Sequence, residues 1–248
     1  MNLQRLFGIT RRAIDDYHMI ESGDKIAIGV SGGKDSLTLL YALSGLRRFY
    51  SEKFELEAIT VNMGYNELDY SAVAKLCEEL GVRYTVVETD IAEIVFDYRK
   101  EANPCSLCAN LRKGAFNKKA LELGCNKEAY AHHQDDVIET MMMSLVYEGR
   151  FHCFSPVTFL DRSKITLIRP LIYIEEQDII TFRRTYHLPV VENPCPANGN
   201  TKREYIKQLI NTLSYESPGL KKRLFHAIQD NGIDSWKIDG NMVETRPE

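Results

Sequence analysis

Six consecutive residues, Ser31-Gly32-Gly33-Lys34-Asp35-Ser36, bring together the groups that a phosphate site requires. Two glycines let the backbone approach an anion without a Cβ in the way. Ser31 and Ser36 supply hydroxyl donors and Lys34 a point charge. The preceding Lys25–Val30 (KIAIGV) reads as a short buried strand. The following Asp35–Tyr50, apolar at Leu37, Leu39, Leu40, Leu43 and Leu46, reads as a helix. A helix that starts on a glycine loop offers free N–H groups and the positive end of its dipole at one point. The pattern is neither the Walker A loop, with four residues between its first glycine and Gly-Lys-Ser/Thr, nor the dinucleotide fingerprint GxGxxG.

The thiols form a second constellation. Cys105-Ser-Leu-Cys108 opens a predicted helix that spans 107–123 and ends at Gly124, with Arg112 and Lys113 one turn on. A helix N-terminus and nearby cations favour thiolates. Alone, the pair suits half a zinc site, a redox couple or two cluster ligands. Cys195 lies in Asn193-Pro194-Cys195-Pro196-Ala197-Asn198-Gly199, a stretch unable to form helix or central strand, so its thiol is available for ligation. Two cysteines plus one give three thiolates and an open position. A structural zinc site would be closed by four ligands, whereas an iron–sulfur cluster with one unligated iron leaves room for sulfide or substrate. Cys77, Cys125 and Cys153 read as small buried hydrophobes.

A third segment, Ala131-His132-His133-Gln134-Asp135-Asp136, sits at a strand-to-helix junction. Carboxylates there either cap the helix or hold Mg2+, which prefers oxygen ligands. The histidines are expected to position a nucleotide or to pack.

Strands at 25–30, 54–62, 82–88, 127–131 and 165–168 alternate with helices, which predicts an α/β fold: a doubly wound parallel sheet covered on both faces. Such sheets bind ligands at the carboxyl ends of their strands. Ser31–Ser36, Asn62–Tyr65 and His132–Asp136 all fall at strand ends, so they are expected to converge. Helices at 175–186, 201–213 and 218–229 follow. This organisation gives a catalytic domain over 1–190 and a helical extension over 191–248 carrying Cys195. With 248 residues, 44% hydrophobic, a core of ordinary size forms without disulfides. The net charge of −4 argues against RNA binding by the whole surface, though not by local basic patches. Basic pairs at Arg183 and Arg184, at Lys202 and Arg203, and the run Lys221–Arg223 are candidates for such contacts. With no apolar run of signal or membrane-spanning length, a cytoplasmic enzyme with no membrane partner is expected.

SGGKDS is the motif of the PP-loop ATP pyrophosphatase superfamily. From about Asp24 to Arg203 the chain resembles one branch of it, the tRNA 2-thiocytidine synthetases. The landmarks are SGGKDS, PCSLCANLRKGAF (Pro104–Phe116), AHHQDD (Ala131–Asp136), IRPL (Ile168–Leu171), and Cys195 followed by Arg203. The chain departs from that family in having Ala131 for a glycine and a single cysteine, Cys195, for a pair. The resemblance implies an adenine nucleotide α-hydrolase-like fold and ATP cleavage between the α and β phosphates with Mg2+. It implies transfer of AMP to the C2 oxygen of a tRNA pyrimidine, cytidine 32, and its replacement by sulfur. It further implies a 4Fe-4S cluster on Cys105, Cys108 and Cys195, catalytic roles for Asp35, Arg112 and Asp136, and nucleotide contacts from residues 31–36, Asn62, Ala131 and Asp136. Expected partners are tRNA, a sulfur donor such as a cysteine desulfurase or sulfide, and a second copy in a homodimer. Two other readings share the motifs. One is a PP-loop adenylating enzyme for another nucleoside or small molecule, including a lysidine-type ligase, which needs no thiols. The other is a non-enzymatic nucleotide- or cluster-binding regulator.

Overall fold

In the computed structural model, residues 1–65, 68–99, 104–191, 195 and 202–236 are described. The strands are β1 (Lys25–Gly29), β2 (Glu55–Asn62), β3 (Arg83–Glu88), β4 (Lys127–Ala129), β5 (Val157–Leu160) and β6 (Ile165–Ile168). They form one sheet in the order β3-β2-β1-β4-β6-β5. Ile26 is in register with Leu56 on one side and Lys127 on the other. Ile26, Ala27 and Ile28 have no exposed surface, as a strand covered on both faces requires.

All pairings are parallel except β5 with β6, where Val157 faces Ile168 and Leu160 faces Ile165. The expected parallel sheet is present, with one antiparallel strand added at its edge. β5 was missing from the predicted strands because it has four residues and only a partly buried face, with Phe159 55% exposed. Its signal lies below what periodicity resolves.

The helices are α1 (Leu3–Asp16), α2 (Lys34–Leu46), α3 (Ser71–Glu79), α4 (Ile91–Glu93), α5 (Pro104–Glu122), α6 (Gln134–Glu148), α7 (Glu176–Thr185), α8 (Lys202–Glu216) and α9 (Leu220–Asp230). A π-helical turn, Ile94–Arg99, continues α4. Under α5 lies a small cluster of Ala27, Ile59, Phe116, Ala120, Cys125 and Ile165. The larger core occupies the other face and takes in Ile206 and Ile210 of α8 and Phe225 and Ile228 of α9. Each such side chain contributes about 1.5–3 kcal/mol of burial, so the C-terminal helices are fastened to the sheet domain. Trp236 is fully buried, with its indole N–H donating to the Phe154 carbonyl at 2.9 Å. Cys77, Cys125 and Cys153 are buried, as their sequence surroundings suggested. No helix among the described residues is long and apolar enough to cross a membrane.

Candidate nucleotide and thiol site

β1 ends at Gly29, and α2 starts at Lys34 with Gly33 as its N-cap and no capping side chain. The first-turn N–H groups of α2 are thus left for a ligand. Ser36 ties the loop together. Its Oγ accepts from the Ser31 N–H at 3.1 Å and donates to the Gly33 carbonyl at 3.0 Å. Gly32 has φ +80°, a conformation open to glycine, and a Cβ there would stand 3.0 Å from the Val191 Cβ. The Val191 N–H donates to the Gly32 carbonyl at 3.0 Å. The chain four residues before Cys195 is therefore hydrogen-bonded to the phosphate loop.

Around this loop stands a charged network. Lys34 Nζ lies 3.0 Å from Asp35 and 3.2 Å from Glu176, the first residue of α7. Glu176 also takes Lys207 of α8 at 2.7 Å. Burial would raise the Glu176 carboxyl, but Lys207 and Lys34 outweigh it and hold it at about 2. Burial likewise opposes the Lys34 charge, yet Asp35 and Glu176 keep its pKa above the ordinary lysine value. On the far side His133 Nε2 sits 3.8 Å from Asp35 and 3.4 Å from Asp136. Asp136 Oδ2 accepts from the His133 N–H at 3.0 Å, capping α6, while its Oδ1 takes Arg203 at 3.0 Å. Arg203 also reaches Glu139 at 3.3 Å.

The two carboxylates of the Asp135-Asp136 pair face different neighbours. Asp135 is buried, accepting from the Glu176 N–H at 2.7 Å and from Lys221 Nζ at 2.8 Å. It joins α6, α7 and α9. Asp136 stays partly open beside Asp35. Of the basic residues expected at an RNA surface, Arg203 and Lys221 are paired with Asp136 and Asp135 within the chain, whereas Arg183, Arg184, Lys202 and Lys222 are exposed. Glu176 and Lys207 carried no sequence signal, because their partners lie on other elements.

Asn62, at the end of β2, donates to Glu88 at 2.7 Å and accepts from the Gly64 N–H at 3.2 Å, which shapes the β2 exit. Ala131 follows β4 and is partly buried against the main core. At the β2 exit stands the start of α5. Cys108 Sγ is 3.8 Å from Met63 Sδ, and Cys105 is exposed. Burial raises the Cys108 thiol; Arg112 pulls it down, and Cys195 and Cys105 push it up, so all three thiols lie within electrostatic reach. The Tyr65 hydroxyl is held up by burial first and then by the neighbouring Cys195. Exposed Arg112 bears on Cys108, Tyr65 and Tyr70 from one side. Among the described residues no three His, Cys, Asp or Glu side chains are already arranged around one metal ion. The stretch Asn193–Gly199, apart from Cys195, lies outside the described residues.

A phosphate loop after the first strand of the sheet, with Asp136 standing across from it after the neighbouring strand, defines a PP-loop nucleotide-binding protein. The PP-loop domain family matches residues 9–213, and the chain belongs to that family. It is 39% identical over 220 residues to the tRNA-cytidine(32) 2-sulfurtransferase of Geobacter sulfurreducens, covering 88% of this chain and 86% of that one. To the protein of the same name from Aliivibrio salmonicida it is 38% identical over 237 residues, 95% of this chain and 77% of that one. Among solved structures, the U34-tRNA thiolase NcsA from Methanococcus maripaludis with its 4Fe-4S cluster superposes with a TM-score of 0.73. The identity is 25%, over 90% of this chain and 77% of that one.

Proposed function

We propose that this chain is an ATP-dependent tRNA sulfurtransferase that replaces the C2 oxygen of cytidine 32 with sulfur. The observation that carries the reading is the Val191–Gly32 hydrogen bond, which sets the segment leading to Cys195 directly on the phosphate loop. Phosphate chemistry and thiol chemistry thereby share one strand-end surface. An adenylating enzyme of the lysidine type has no use for that juxtaposition.

The residues divide the work. Ser31, Gly32, Gly33 and the α2 N-terminus cradle the β and γ phosphates, and Lys34 turns from Glu176 and Asp35 towards them. Asp35 and Asp136 supply the oxygen ligands that Mg2+ prefers, Asn62 and Ala131 border the nucleoside, and Arg112 steadies anionic charge between the thiols and the nucleotide. The C2 oxygen of the pyrimidine attacks the α-phosphorus and pyrophosphate leaves. Sulfide then adds at C2, and the adenylated oxygen departs as AMP. Adenylation is needed because an amide-like oxygen is a poor leaving group.

The soft donors Cys105, Cys108 and Cys195 suit a 4Fe-4S cluster. With three protein ligands, such a cluster supplies an open iron coordination position for sulfide. The sulfur donor is a cysteine desulfurase or free sulfide, the compartment is the cytoplasm, and the active assembly is a homodimer. Exposed Arg183, Arg184, Lys202 and Lys222 contribute to the tRNA surface.

The test is anaerobic purification with iron, sulfide and zinc analysis, followed by nucleoside analysis of tRNA incubated with protein, ATP and sulfide. About four irons and four sulfides per chain, lost in Cys195→Ala, together with 2-thiocytidine at position 32, support the reading. Stoichiometric zinc, or pyrophosphate release that persists without any thiolated nucleoside, overturns it.

A further inference from the structure

Beside the nucleotide loop, a histidine is held in a single protonation form. Arg169 follows β6 and is 6% exposed. Its Nη1 donates to the Ser155 carbonyl and to Thr158 Oγ1, the latter at 3.0 Å. Its Nε donates to His132 Nδ1 at 3.3 Å. A guanidinium has only donors and keeps its proton at any physiological pH. Nδ1 of His132 must therefore carry the lone pair, and the one proton of the neutral ring sits on Nε2. Phe154 fixes the ring plane: its centroid lies 4.6 Å from that of His132 at an interplanar angle of 32°, and the Arg169 guanidinium lies 4.8 Å over the same phenyl ring. Burial, and after it the Arg169 charge, keeps the imidazole neutral down to about pH 4.

We propose that Arg169 locks His132 as its Nε2–H tautomer, and that His132 donates this proton in a hydrogen bond to the C2 carbonyl oxygen of the acceptor pyrimidine. The second half rests on the sulfurtransferase reading. Position supports it. His132 follows β4, the neighbour of β1 and its phosphate loop, and feels the charges of Asp136 and Arg203. His132 as a residue is partly buried, and no described residue accepts from its Nε2. The chemistry suits the step. A neutral N–H orients a carbonyl oxygen and leaves its other lone pair free to attack phosphorus. An imidazolium, the stronger donor, would withdraw more electron density from the attacking oxygen, so the neutral ring positions it at the smaller cost in nucleophilicity. His132 is then the catalytic residue, and Arg169 is the positioning residue that acts through it. The β5–β6 hairpin acquires a purpose as well, since Ser155 and Thr158 hold the guanidinium in place.

The experiment has two parts. Full-length protein labelled with 15N-histidine is examined by long-range proton–nitrogen correlation at neutral pH, with His132→Gln assigning the resonance among six histidines. The expected spectrum shows a pyridine-type Nδ1 and a pyrrole-type Nε2, averaging towards a tautomer mixture in Arg169→Met or, should that variant fold poorly, in Arg169→Lys. A protonated Nδ1 in the wild type overturns the lock. The reconstituted holoenzyme is then assayed for thiolation of tRNA at saturating ATP. His132→Gln, whose amide nitrogen occupies the Nε2 place, is expected to lose activity but to stay at least tenfold above the variants that lack a donor there. His132→Asn, which puts its amide at the Nδ1 place, and His132→Phe should lose about 100-fold in kcat/KM for tRNA through misplacement of the reacting oxygen, with unchanged ATP affinity. Equal loss in the Gln and Asn variants, or ATP affinity falling in parallel, overturns the acceptor contact. A wild-type enzyme that makes no thiolated tRNA instead overturns the function reading, and the nitrogen spectrum still decides the lock.

Discussion

Asp135→Ala separates a structural carboxylate from its functional neighbour. The Asp135 side chain is 8% exposed and accepts two hydrogen bonds, from the Glu176 N–H at 2.7 Å and from Lys221 Nζ at 2.8 Å. A hydrogen bond to a charged group is worth about 1.5–3 kcal/mol. Truncation also leaves the Glu176 N–H to find another acceptor. Lys221 is 37% exposed and recovers water, which brings the expected loss to about 3 kcal/mol. For a chain of this size each kcal/mol moves the melting midpoint by about 2–4 °C, so Asp135→Ala should melt about 6–12 °C lower. Asp135→Asn keeps an acceptor and should lose about half as much. Below the transition both variants should still bind ATP and release pyrophosphate. Asp136→Asn, which can keep the α6 cap but gives up the charge beside Asp35 and the half-exposed pair with Arg203, worth about 0–1 kcal/mol, should melt at most about 4 °C lower and lose pyrophosphate release. Calorimetry and a pyrophosphate assay on the three variants read the difference. Unchanged melting of Asp135→Ala, or a stable Asp135→Asn as inactive as Asp136→Asn, would refute the division of labour.

Gly32→Ala forces an L-residue into φ +80°, at about 1–2 kcal/mol, and sets a methyl group 3.0 Å from Val191. ATP affinity measured by calorimetric titration should fall about tenfold, and an undiminished affinity would show that the loop opens freely. Glu176 is held down at about 2, so its contribution is complete above the ordinary carboxylate value and is lost as pH falls towards 2. In urea titrations between pH 2 and 6, Glu176→Gln should flatten that acid limb, and a limb as steep as the wild type's would count against the Lys34–Glu176–Lys207 link. Glu128, fully buried on β4 with the Asn117 amide nitrogen turned towards it, is raised by burial to about 7. Its neutral form is favoured in the fold, so wild-type stability should decline as pH rises from about 4.5 through 7. Glu128→Gln should remove the decline and be the more stable protein at pH 8; a wild type that gains on the variant over this range would reverse the assignment.

The nucleotide loop was legible because all its ingredients are local: a buried strand, two glycines, and a helix with leucines at the right spacing. Cys105 and Cys108 were legible for the same reason, being one turn apart on α5. Cys195 stood out through its proline-flanked setting, and Tyr65 and Cys108 are its neighbours in the fold. What escaped was long-range. Glu176 and Lys207 meet Lys34 from two other helices, and nothing in the residues around them marks them out. The carboxylate partners of Arg203 and Lys221 escaped because a basic pair in a helix carries no record of the residue across from it. β5 escaped because four half-exposed residues after a long helix give neither period two nor a hydrophobic run.

The contacts of α1 bear on how the chain is made. Leu6 and Phe7 of α1 pack onto α2, where the Phe7 ring lies against Gly45, a partner that leaves the ribosome soon afterwards. The other end of α1 must wait. Tyr17 Oη donates to the Trp236 carbonyl at 3.1 Å across 219 positions, and Asp16 accepts from Tyr173 Oη at 2.9 Å. At about 5–20 residues per second, that interval is about 10–40 s of synthesis. Through it the sheet domain can assemble around β1, but the seam between α1 and the last described residues stays open, and Trp236 is the final piece to close it.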